Sequence, residues 1–68
     1  MKFAALVVNE PLRLFASAAE AVEAVSRRLY IAPSTEAEML DALAAGKTAS
    51  CTYGFAQAFV YPPGVEYR

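Results

Sequence analysis

From Thr48 to Val65 the chain carries no charged residue, and within that stretch "TASCTYGFAQAFVY" is β-branched or aromatic and alternating. A run of this kind requires a sheet, and the sheet requires cover on at least one face. Positions 48 to 61 exceed the usual length of one strand, and Gly54 divides them, either as the tight turn of a hairpin or as a bulge that bends a single strand. Tyr53, Phe55, Phe59 and Tyr61 share one parity. They are expected to face inward and receive the helices. The competing assignment, a stacking platform for single-stranded nucleic acid, calls for a positively charged groove, and the surrounding sequence supplies no cation.

The rest of the chain supplies what would pack on that sheet. Residues 2 to 8, "KFAALVV", are apolar on both parities, as in an inner strand covered at least partly on both faces. "NEP" has turn chemistry, and Leu12 and Leu14 alternating with Arg13 predict a second strand over 12 to 16, completing a hairpin. Ser17 and Glu20 have capping-box spacing, which predicts a helix starting there. Its apolar side would be Ala18, Ala21, Val22, Val25 and Leu29, with Glu20, Glu23 and Arg27 opposite, and Pro33 predicts an end near Tyr30 or Ile31. Thr35 and Glu38 repeat the capping spacing, and Gly46 with Lys47 suits a helix end, so a second helix is predicted over about 36 to 45 with Met39, Leu40 and Leu43 inward. The expected architecture is a single α+β domain over residues 1 to 68, an antiparallel sheet of three or four strands with two helices on one face, in the order β-β-α-α-β(-β).

Composition removes several classes of function. There is no histidine and only one cysteine, Cys51, so neither an internal disulfide nor an ordinary zinc site is available, and no cofactor is implied. A lone cysteine in so short a chain argues for a reducing, cytoplasmic setting. Acid-base catalysis would fall to carboxylates, lysine or tyrosine, and all the acids except Glu10 and Glu66 lie on amphipathic helical segments where solvation accounts for them. Cys51 in an apolar strand is expected to be a packing residue. Glycines at 46, 54 and 64 are too far apart for a phosphate loop. The start, "MKFAALVVNEPLRLFASA", imitates a signal peptide, but Asn9, Glu10 and Arg13 interrupt its apolar run and a strand is expected. Gly54, Gln57, Pro62 and Pro63 disqualify the uncharged stretch as a membrane helix.

Six Lys or Arg stand against seven Asp or Glu, a balance that disfavours direct binding to nucleic-acid phosphates. Residues 14 to 61, with "LRLFAS", "AAEAVEAVSRRL", "IAPS", "LDALAAGK" and "TASCTYGFAQAFVY", loosely resemble the small helix-turn-helix modules attached to intron-encoded endonucleases. That resemblance would place the second helix in a major groove, yet the matching helix over about 36 to 45 carries Glu36, Glu38 and Asp41 and no basic residue. In size and make-up the chain is also similar to phage-encoded inhibitors such as anti-CRISPR proteins. That likeness implies a non-enzymatic protein-binding module that blocks a host nucleic-acid-binding complex, an acidic surface meeting a basic groove. The expected contact set is Glu20, Glu23, Glu38 and Asp41, with Tyr61 or Tyr67 as aromatic anchors. A helix-turn-helix regulator and a structural homodimer are the alternatives.

Overall fold

The computed structural model describes residues 2–64, and the element order is the expected one. β1 (Phe3–Val7) and β2 (Arg13–Phe15) are followed by α1 (Ala18–Leu29) and α2 (Pro33–Ala44), then by β3 (Ala49–Tyr53) and β4 (Ala56–Tyr61). The four strands form one antiparallel sheet in the order β2-β1-β4-β3, so the last strand returns to pair with the first and β1 is an inner strand. Both helices lie on one side of it, α1 against β1 and β2, α2 mainly against β3.

Local chemistry explains the element ends. The Ser17 hydroxyl accepts from the Glu20 backbone N–H, the first half of the expected capping box. Arg27 reaches back to Glu23 at 2.6 Å along the exposed side of α1. Tyr30 closes α1 with φ 55° and ψ 47°, its N–H returning to the Ser26 carbonyl at 2.7 Å. A left-handed conformation is costly for a residue with a Cβ. Tyr30→Gly is therefore expected to raise stability by about 0.5–1 kcal/mol, since the tyrosine is exposed and little packing is lost; chemical denaturation measures it.

The second helix begins three residues earlier than the sequence reading placed it. Pro33 occupies its first turn, and Ala32 precedes it in extended geometry with no side-chain cap. Proline at the first helical position forfeits no hydrogen bond and has its φ already set, which makes it a stronger start signal than Thr35. Leu40 is also more exposed than expected, leaving Met39 and Leu43 as the buried residues of α2. At the far end Lys47 N–H bonds to Ala42 and Gly46 N–H to Leu43, a Schellman closure that Gly46 permits with φ 77°. β2 is likewise shorter than its expected span, 13–15 in place of 12–16.

The sheet corrects the largest sequence-based expectation. β3 and β4 are joined by the two-residue turn Gly54–Phe55, with Tyr53 opposite Ala56 and Gly54 at φ 60°. Phe55 is not among the positive-φ residues, which makes the turn type II′ with glycine at its first central position. A two-residue hairpin inverts parity: odd residues of β3 share a face with even residues of β4. The helix side thus holds Ala49 and Cys51 of β3 and Ala58 and Val60 of β4, joined by Ala5 of β1. Phe59 and Tyr61 lie on the opposite side, Tyr53 is a half-exposed rim residue, and Phe55 stands in solvent on the turn. The aromatic series does not form the core. Small residues do, and they let α1 and α2 approach the sheet closely through Ala21, Val22, Val25, Leu29, Met39 and Leu43.

Candidate functional surfaces

Alternation along the strands gives the molecule two unlike faces. On the side away from the helices stand Ala4 and Leu6 of β1, Leu14 of β2, Ser50 and Thr52 of β3, and Gln57, Phe59 and Tyr61 of β4, as the registers Ala4↔Leu14, Ala4↔Tyr61, Leu6↔Phe59, Ser50↔Phe59 and Thr52↔Gln57 require. No strand residue on this side is charged. The single charged strand residue, Arg13, is registered opposite Ala5 and therefore belongs to the helix side. The rings of Phe59 and Tyr61 stack at 6.3 Å between centroids, and both are half-buried while Leu14 is 55 % exposed.

The helical side carries the charge. A groove of about 530 Å³ runs between α1 and β2, lined by Arg13, Phe15, Glu20, Glu23, Arg27 and Arg28. Arg13 lies over the Phe15 ring at 5.2 Å, Arg27 pairs with Glu23, and Arg28 pairs with Glu10 on the β1–β2 turn. Glu20 and Glu23 thus share a groove with three arginines, and Glu23 is paired with one of them. α2 is different. Glu38 and Asp41 are exposed, Glu36 is half-buried in its first turn, and the helix carries no basic residue.

The expected contact residues therefore divide. Glu20, Glu23, Glu38 and Asp41 all lie on the helical side, the first two beside arginines and the other two not. Tyr61 belongs to the sheet face turned away from the helices, beyond reach of the same flat partner surface. Tyr67 falls outside the described residues. Sequence reasoning missed Leu6, Leu14 and Phe59 as surface residues. The one charge in the strands gave no signal of this: Arg13 stands on the helix side over the Phe15 ring, so reading its charge as a mark of the uncovered side would have put Leu14 under the helices.

Cys51 sits in the core cluster, and burial pushes its thiol above the ordinary value. That is the reverse of what a nucleophile needs. Alkylation of Cys51 in the folded protein is expected to be at least about tenfold slower than in denaturant, and mass spectrometry of timed labelling reads the ratio. The sign of the linkage follows from the raised value. The stability contributed by the neutral buried thiol is fully present below its unfolded pKa and is lost as the pH climbs through the folded one, a dependence that Cys51→Ala removes.

Among the described residues no group of three or more His, Cys, Asp or Glu could hold a metal ion, and no helix is long and apolar enough to cross a membrane. No protein-family model, curated protein or solved structure matches the chain at a significant level.

Proposed function

We propose that this chain is a non-catalytic protein-binding module whose helical layer meets a basic surface of its partner, and, in its most specific form, that it inhibits a nucleic-acid-binding complex by covering that surface in the manner of a small phage or mobile-element inhibitor. The observation that carries the proposal is the charge on α2: Glu36, Glu38 and Asp41 with no base on the helix, on the outer layer of the fold. Such a surface repels phosphates and attracts the lysines and arginines that bind them, which speeds encounter and fixes register. Glu38 and Asp41 are its centre, with Glu20 and Glu23 flanking. The buried thiol and the absence of histidine support a role without chemistry.

The same charge distribution weighs against the helix-turn-helix alternative, in which α2 would approach DNA with its carboxylates foremost. The test uses paired baits. Wild type and the Glu38→Lys/Asp41→Lys variant are immobilised over nuclease-treated bacterial lysate, and the free protein is titrated against duplex and single-stranded DNA at several salt concentrations. Retention by the wild type of a protein that itself binds nucleic acid, reduced at least about tenfold by charge reversal with thermal stability nearly unchanged, is the expected result. Steep salt-dependent binding of DNA by the protein alone, or retention indifferent to charge reversal, contradicts it.

A further inference from the structure

The open face of the sheet has a partner of the right chemistry in the molecule itself: we propose that it is the interface of a two-fold homodimer, in which the Phe59–Tyr61 face of one copy packs on the same face of a second. The proposal stands independently of the inhibitor reading, which concerns the opposite side of the fold.

The first support is the continuity of the surface. Leu14, Leu6, Phe59 and Tyr61 stand on the adjacent strands β2, β1 and β4 on this side, around a fully buried Ala4 that is registered with both Leu14 and Tyr61. Ser50, Thr52 and Gln57 border this patch on the β3 side, giving an apolar centre with a polar rim.

Charge supplies the second. Two-fold packing brings a surface onto its own copy, so a charged face would set like charges against one another. This face has no charged strand residue, whereas the helical side, with its excess of carboxylates on α2, is unsuited to self-pairing. The open face is therefore the one that can be its own complement.

Area and stability supply the third. Strands about 4.8 Å apart, rising about 3.3 Å per residue and running from three residues in β2 to six in β4, present roughly 300 Å² in projection. Two copies together contribute roughly 600 Å² in projection, and side-chain relief raises the accessible area buried toward about 1,000 Å², the lower bound of a specific interface. The domain also has reason to use it. Its largest fully buried side chains are Val22, Val25 and Val60, a slight core, and the sequence has no disulfide to supplement it. Domains of this length commonly gain the missing burial by association. Packed this way, the two sheets lie about 10 Å apart with a helical layer outermost on each side, and the assembly displays the α2 carboxylates twice.

Sedimentation equilibrium from low to high micromolar concentration tests the proposal on the whole chain. The expected result is a passage from one-chain to two-chain mass, with a midpoint of thermal unfolding that rises with concentration. Phe59→Lys and Leu14→Lys should each raise the dissociation constant at least about tenfold with circular dichroism unchanged, and Tyr53→Lys, on the helix-side rim, should leave it unaltered. Leu14 lies on the edge strand and is already half-exposed, so its variant decides alone should Phe59→Lys unfold. A chain that stays monomeric at high micromolar concentration overturns the proposal. So does a dimer that survives both lysine substitutions, which would point to pairing along the free edge of β3.

Discussion

Val60→Asp is expected to abolish the folded state. Val60 is fully buried on an inner strand, paired with Ala5 on one side and Ala49 on the other, and its side chain points into the cluster formed with α1 and α2. No charged residue belongs to that cluster, so a carboxylate there would be desolvated without compensation. Stranding an ion in this way costs about 3–5 kcal/mol. A domain of this length has a total stability of roughly 3–10 kcal/mol at the usual 0.05–0.15 kcal/mol per residue. Far-ultraviolet circular dichroism should show no cooperative thermal transition, whereas Val60→Ala should retain one at a loss of about 2 kcal/mol. A cooperative transition close to wild type in the aspartate variant would mean that residue 60 does not face the helices.

The second large effect is a contrast between neighbours. Ala58→Phe places a ring where Ala58 is fully buried beneath the helices, between Val7 and Cys51. The layers can admit it only by separating, and the expected loss is about 3 kcal/mol or more. Phe59→Thr removes a ring one residue away, yet at concentrations where the chain is monomeric it should cost only about 1 kcal/mol, since Phe59 is half-buried on the side away from the helices and threonine suits a strand. Intuition from hydrophobicity alone predicts the opposite ranking. Urea denaturation of both variants at low micromolar protein decides between them.

The element order and both helices were legible because their signals are local. Ser17 caps the backbone it precedes, Glu23 meets Arg27 one turn away, and Gly46 ends a helix by its own φ. The start of the second helix was misplaced because Thr35 and Glu38 imitate a capping box inside a helix that Pro33 has already begun. The sheet face failed for a different reason. Periodicity assigns residues to alternate sides only while the strand continues, and the sequence left Gly54 open as bulge or turn. Once Gly54 and Phe55 form a two-residue turn, Tyr53 and Phe59 part company despite their shared parity, and Ala58 and Val60 inherit the inner face. Aromatic bulk then misled further, since what β3 and β4 present to the helices is Ala49, Cys51, Ala58 and Val60.

The candidate surfaces were legible to the same extent. Glu38 and Asp41 could be placed on an exposed helical side because helical period is local and α2 has no competing cation. The pairing of Glu23 with Arg27 was legible as an i,i+4 spacing, whereas the Arg28–Glu10 pair and the placing of Arg13 in the same groove depend on α1 meeting β2 and the β1–β2 turn, which no sequence spacing encodes.

The core and the sheet face away from the helices both depend on which way β4 faces, and nuclear Overhauser contacts report it directly. The methyl groups of Val60 should show contacts to Val22, Val25 or Met39, and the ring of Phe59 should show contacts to Leu6 and none to either helix. Contacts from the Phe59 ring to the methyl groups of Val25, Leu29 or Leu43 would contradict the assignment of the faces, and with it the homodimer interface.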